Sequence, residues 1–221
     1  MVTPSLSRAT LAALLDAHAR FAPVELAPSL SAWCADEEVP LWAALEEAAG
    51  ERLGAPFFAV PWPGAQLLAH AVERGLVDVH GRRVLDVGCG SGLASVACAR
   101  RGAEVVACDV DVLACMAAKL LAERHEVRLD ALCCDALERF EIGCSFDVVL
   151  AGDLVYSRAQ GERLSRAVAA WRSAGATVVL ADSGRPFFSS CGLPEVLAAE
   201  VRVPRSVEGA ERRRVRLYVG P

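Results

Sequence analysis

Apolar residues recur at helical spacing over residues 8–21, through Leu11, Leu14 and Leu15 with His18, and again over 36–53, through Val39, Trp42, Leu45 and Ala49. Three-and-four spacing makes one face of an amphipathic helix, and such a face is stable only when covered. Both segments are therefore expected to pack on the rest of the chain, with residues 23–31, which contain two prolines, as a connector between them.

From Trp62 onward the pattern changes. Short apolar runs at 83–87, 104–109, 127–134, 146–151 and 176–181 read as strands, and they alternate with helical segments at 92–101, 111–125 and 158–173. Another helix begins near Pro63, a residue suited to a first helical turn. Strands alternating with helices predict a parallel sheet with crossover helices. At the C-terminus two alternating segments, 200–203 and 213–219, are joined by 204–211, too short for a crossover helix, so they are expected to pair antiparallel. The organisation expected is an N-terminal helical extension over 1–54 and a sheet domain over 55–221.

Residues 53–72 carry no charge, a stretch long enough to cross a bilayer. Pro56, Pro61 and Pro63 would leave backbone groups without partners in lipid, so the stretch reads as a loop running into a helix.

Composition narrows the class. With 54% hydrophobic residues in 221 the chain can bury a core, which excludes disorder. A formal charge of -5 argues against nucleic acid as the main partner, since that binding rests on excess Lys and Arg. Nine cysteines without a C-x-x-C among Cys89, Cys98, Cys108 and Cys115, and without a basic-then-apolar leader in the first ten residues, suit reduced thiols in a cytoplasm rather than disulfides or zinc.

The densest chemistry lies in Val84-Leu85-Asp86-Val87-Gly88-Cys89-Gly90-Ser91-Gly92, which follows a predicted strand and opens a helix. Gly88 and Gly90 let the backbone approach a ligand at the carboxyl end of the sheet. The spacing is G-x-G-x-G, with Leu93 where a dinucleotide fingerprint has its third glycine, and Asp86 sits inside the strand end. Both features favour S-adenosylmethionine over a nicotinamide dinucleotide. Asp109, ending the second strand, is placed to accept from both ribose hydroxyls, with Asp111 better placed to cap the next helix. Asp135 follows the third strand and reads either as an acceptor for the adenine amino group or as a turn aspartate.

Across the switch point, the fourth strand runs into Ala151-Gly152-Asp153-Leu154-Val155-Tyr156. Methyl transfer to an amine depends on alignment and desolvation, and a nearby carboxylate can hold the cation and assist proton loss. Asp153 suits that task or a post-strand cap; Tyr156 suits the acceptor site or the core. Arg185, in Asp182-Ser183-Gly184-Arg185-Pro186, can pair with Asp182 or Asp153 or meet an acidic substrate face. Trp62 can cover the cofactor or pack as core.

These motifs, with Pro61-Trp62-Pro63-Gly64-Ala65-Gln66 and Val39-Pro40-Leu41-Trp42, resemble the class I seven-strand S-adenosylmethionine-dependent methyltransferases. The similarity is closest to family 16, the group of the electron transfer flavoprotein beta-subunit lysine methyltransferase and its bacterial, nicotinamide N-methyltransferase-like relatives. The resemblance implies a Rossmann-like α/β sheet in order 3-2-1-4-5-7-6 with strand seven antiparallel. It implies S-adenosyl-L-methionine held by Trp62, Asp86, Gly88, Gly90, Gly92, Asp109, Val110, Asp135 and Ala151, catalysis at Asp153 and Tyr156, Arg185 on the substrate, and no metal. The implied partner is a protein presenting lysine, such as the electron transfer flavoprotein beta subunit, with neither nucleic acid nor membrane. A small-molecule amine acceptor and a non-catalytic cofactor-binding protein are the alternatives. Departures from relatives include Asp111-Val112 where Asp-Pro is common, and Arg212, Arg213 and Arg214 in the last hairpin where threonines are common.

Overall fold

A computed structural model describes residues 6–35, 37–203 and 211–221. Helix α1 (Arg8–His18) starts on Ser7, whose side chain accepts from the Thr10 amide, and buries Leu11 and Leu15. It ends three residues before the expected position 21, because the chain turns extended at Ala19. The stretch read as a connector instead belongs to an antiparallel hairpin of β1 (Arg20–Pro23) and β2 (Ser31–Cys34). Four-residue strands carry too few alternations to register as a pattern, and tertiary contacts hold them. Phe21 meets Trp33 edge to face at 5.2 Å, and the Trp33 indole donates to Asp16 at 2.9 Å. Arg124 of the next layer lies over both rings.

Helix α2 (Glu38–Ala49) stops at Gly50, which adopts a left-handed φ of 70°. Its buried face is Leu41 and Leu45; Val39, expected inside, is 70% exposed. A short 3-10 turn (Phe57–Ala59) leads into α3 (Pro63–Glu73), which begins on Pro63 as expected. Among the described residues no helix is long and apolar enough to cross a membrane.

The remaining strands and α-helices are β3 (Arg83–Val87), α4 (Leu93–Arg100), β4 (Glu104–Asp109), α5 (Val112–Arg124), β5 (Asp130–Cys133), β6 (Val148–Gly152), α6 (Arg158–Ser173), β7 (Thr177–Asp182), β8 (Glu195–Arg202) and β9 (Arg212–Gly220). They form a seven-stranded sheet in the order β5-β4-β3-β6-β7-β9-β8, parallel but for β9, which runs antiparallel to β7 and β8. Counted within the sheet, this is the expected 3-2-1-4-5-7-6. Strand β8 begins five residues before the expected 200; as the sheet edge, it leaves much of both faces in water and shows no clean alternation. The 204–210 part of the expected hairpin connection lies outside the described residues.

Strands β6 and β7 are buried on both faces and read as continuous apolar runs. On one face Leu67, Leu68, Leu93, Val96 and Leu121 form a core that also takes in Leu11, Leu41 and Leu45. On the other, Leu164, Val168 and Trp171 of α6 close over Leu85, Val149 and Leu180.

Candidate active site

Strand β3 has β4 on one side and β6 on the other, and the chain reverses its march across the sheet there. Such a switch point leaves a crevice at the carboxyl ends of the strands. The glycine loop borders it. Gly88 and Cys89 donate to the Cys108 carbonyl at 2.8 and 3.0 Å, which ties the loop to β4. Gly88, Gly90 and Gly92 all have positive φ, a conformation that glycine takes without penalty. Their neighbours differ. A side chain on Gly88 would strike Leu154, and one on Gly92 would strike the Ala118 backbone at 2.6 Å, whereas nothing lies within 4 Å of one on Gly90. Gly92 is thus needed for packing against α5, and Gly90 is the glycine with room beside it.

Asp86 is 3% exposed and accepts from the Ser95 hydroxyl at 2.6 Å, locking β3 to α4. Burial pushes its carboxyl up to about 6, against the opposing pull of that hydrogen bond. Asp109 accepts from the Gly90 amide at 2.9 Å through one oxygen and from the Asp111 amide at 3.0 Å through the other. Burial raises its pKa, and these backbone donors partly offset the rise. Asp111 caps α5 through the Leu113 amide, as expected of it. Val110, beside Asp109, is 67% exposed. Asp135 takes the turn role that the sequence left open: one oxygen accepts from the Leu137 and Glu138 amides, and the other pairs with Arg163. Burial would raise its pKa, but these partners carry it below the usual value.

At the end of β6 the side chain of Ala151 is buried, facing the α6 core. Asp153 is 2% exposed and has φ +47°, a left-handed conformation that aspartate tolerates better than most residues. Its carboxylate accepts from the Gly64 amide at 2.7 Å, the Ser183 amide at 2.9 Å and the Ser183 hydroxyl at 2.6 Å. It thus clamps the start of α3 and the turn after β7 to the tip of β6. The approach is close: a Cβ on Gly64 would lie 2.8 Å from the Asp153 nitrogen, and one on Gly152 3.0 Å from the Gly64 carbonyl carbon.

Beside this clamp lies an aromatic rim. Tyr156 is 50% and Phe57 52% exposed, and their rings stack with centroids 6.4 Å apart. Trp62 meets Phe57 edge to face and donates its indole N–H to the Phe57 carbonyl at 2.9 Å. The Arg185 guanidinium lies over both the Trp62 and the Tyr156 rings, 5.5 and 5.1 Å from their centres. Trp62, Tyr156 and Arg185 therefore share one site.

A family model described as "Methyltransferase domain" matches residues 84–175. The chain carries a class I S-adenosylmethionine-dependent methyltransferase domain. It is 31% identical to the electron transfer flavoprotein beta subunit lysine methyltransferase of Danio rerio, over 69% of this chain and 60% of that protein. It is 34% identical to the protein of that name from Xenopus laevis, over 62% of this chain and 56% of the relative. The match thus spans little more than half the length of these relatives. The methyltransferase fold is shared with the magnesium protoporphyrin IX methyltransferase of Synechocystis PCC 6803, solved with bound SAM, at a TM-score of 0.52 and 18% identity over 71% of this chain and 79% of that one.

The residues at the methyltransferase domain's crevice fit an amino-acid sulfonium joined to adenosine. Gly90 has open space beside it, and the Ser91 hydroxyl is buried with no hydrogen-bond partner within the described chain, an arrangement that a polar ligand resolves. Asp109 adds acceptor oxygens and Val110 an exposed apolar surface. Sequence reasoning missed the importance of Gly64, Gly152, Ser183 and Phe57. The first three stood inside quoted motifs, but their spacing carries no sign of contact between segments far apart in the chain.

Proposed function

We propose that the protein is an S-adenosylmethionine-dependent N-methyltransferase whose acceptor is a lysine side chain of a protein. The observation that carries this reading is the open acceptor edge: Tyr156 and Phe57 are half exposed on a rim beside the Asp153 clamp. A small amine would be better served by an enclosed pocket. The names of the relatives make the electron transfer flavoprotein beta subunit the first substrate to try. Nine free thiols suit a reducing, cytoplasmic setting.

S-adenosylmethionine, when bound, supplies a methyl group activated on a sulfonium. Asp109 would accept from the ribose hydroxyls, Val110 would line the adenine, and Gly90 with Ser91 would line the rest of the cofactor. Asp86 and Gly92 support that loop from below, and Asp135 fixes the turn after β5. Asp153 acts as a positioning residue, because three donors of its own chain already occupy its carboxylate. Tyr156, Trp62 and Arg185 border the acceptor. A lysine must lose its proton before attack, since its pKa in water is about 10.4.

The test is incubation with radiolabelled S-adenosylmethionine, purified electron transfer flavoprotein beta subunit and, separately, cell lysate. Label recovered as methyl-lysine after hydrolysis is expected. Label confined to small molecules would replace this reading with the amine one, and cofactor binding without transfer to either would leave a non-catalytic protein.

A further inference from the structure

Thiols flank the strand end that carries Asp109 and Val110. The Cys115 sulfur turns to the Asp109 carbonyl and the Cys133 sulfur to the Val110 carbonyl, at 3.8 and 3.5 Å. Cys108 and Cys134 instead face each other, with their sulfurs 3.3 Å apart. They meet because β4 and β5 run parallel with Cys108 level with Leu132, so that Cys134, two residues on, returns to the same face. Cys108 is buried, whereas Cys134, just past the end of β5, is partly exposed. Burial, and then the neighbouring Cys134 sulfur, push the Cys108 thiol well above its usual pKa, which keeps it protonated. Cys134 is therefore the sulfur of the pair that an oxidant meets.

Both residues are tied into the cofactor crevice through their main chains. The Cys108 carbonyl accepts from the Gly88 and Cys89 amides at 2.8 and 3.0 Å, and the Cys134 amide donates to the Asp109 carbonyl at 2.9 Å. A disulfide would draw the sulfurs from 3.3 Å to about 2.05 Å. Strand β4 is held between β3 and β5, so the closure falls mainly on the chain at Cys134, which adjoins the Asp135 turn.

We propose that Cys108 and Cys134 are a site of reversible oxidation by hydrogen peroxide, and that the bridged protein binds S-adenosylmethionine more weakly. The peroxide gives one oxygen to the Cys134 sulfur, forming a sulfenic acid and releasing water. The Cys108 sulfur then displaces hydroxide from it, and the Cys108 proton leaves with that hydroxide as a second water. Two electrons pass from the two thiols to one peroxide, and a dithiol reductant returns them by exchange. In a reducing compartment such a bridge is transient and reports oxidant. By reciprocity, bound cofactor opposes its formation. The inference rests on the placement of the cofactor at Asp109 and Val110 given above and adds a control to that site.

The test uses the full chain, reduced, treated with hydrogen peroxide, blocked at its remaining thiols and digested with trypsin. Mass spectra are expected to show a disulfide joining peptide 102–119 to peptide 129–139, with fragment ions placing it at Cys108 and Cys134, and dithiothreitol should remove it. Calorimetry should give the bridged chain at least three-fold weaker affinity for S-adenosylhomocysteine than the same sample after reduction. Cys134→Ser should form no such bridge and keep its affinity through the treatment, while Cys133→Ser should still form it. A bridge only at Cys115 and Cys133, no bridge at all, a loss of affinity under three-fold, or a loss that persists in Cys134→Ser overturns the proposal. The reduced chain, measured first as wild type and as Asp109→Asn, separates the two failures. If Asp109→Asn binds as tightly as wild type, the cofactor placement falls and this inference with it; if Asp109→Asn is weakened but bridging changes nothing, this inference alone is lost.

Discussion

Asp109 and Asp153 stand at the carboxyl ends of the two strands that flank β3, yet their carboxylates serve different ends. Each oxygen of Asp109 accepts one backbone N–H, and the residue stays partly exposed beside Val110. Asp153 is 2% exposed and receives three donors from two distant segments. A carboxylate has about four acceptor sites. Asp109, partly exposed, keeps more of its acceptor capacity open, and Asp153 spends nearly all of its capacity on the fold. The same residue type after the same kind of strand thus becomes a local tether of the glycine loop or a clamp between distant segments according to how close a neighbouring helix comes.

The largest effect is expected from breaking the clamp. Asp153→Ala leaves the Gly64 and Ser183 donors buried without an acceptor and puts alanine at a positive φ, so stability should drop by roughly 3–5 kcal/mol in urea unfolding. A drop near zero would mean that the clamp holds nothing.

A third carboxylate near a strand end, Asp86, extends the comparison to one whose pKa burial raises. Its folded pKa is raised from 3.8 to about 6. Between those values the folded chain binds a proton that the unfolded chain has released, so stability falls as pH rises from about 4 to 6, on the order of 2–3 kcal/mol. Asp182, also buried and raised to about 6, adds a fall of the same sign. Asp86→Asn keeps an acceptor for Ser95 and should flatten the Asp86 part of the profile in unfolding curves taken across that range. An unchanged profile would show that Asp86 stays ionised.

Gly64→Ala tests the approach that makes the clamp necessary. The new Cβ would press on the Asp153 backbone, which cannot rotate away, so a cost of about 1–3 kcal/mol is expected despite alanine's better helix propensity. Gly90→Ala has no such clash, and its smaller penalty, about 1 kcal/mol, should come from its positive φ. Equal costs by thermal unfolding would erase the distinction between a packing glycine and a loop glycine.

Much of this was legible in the chain. Strand β3 and helix α6 fall where the apolar pattern put them, because long or fully buried elements carry their own period. The β1–β2 hairpin and the first half of β8 were not legible: the one is held by Phe21, Trp33 and Arg124 across the sequence, and the other is an edge with both sides wet. At the site the glycine loop announced itself through spacing, and Asp109 through its distance from that loop. The difference between Asp109 and Asp153 was invisible, because it depends on Gly64, 89 residues from Asp153 in the chain. The rim of Phe57, Trp62, Tyr156 and Arg185 likewise draws on three separate segments.

The contrast between the two carboxylates has one direct measure, the calorimetric affinity of S-adenosylhomocysteine for Asp109→Asn and Asp153→Asn. Asparagine tolerates the backbone at both positions and removes the charge. The account predicts at least a ten-fold loss for Asp109→Asn, about 1.4 kcal/mol, and an affinity within about three-fold of wild type for Asp153→Asn. The reverse order, or equal losses, would contradict it.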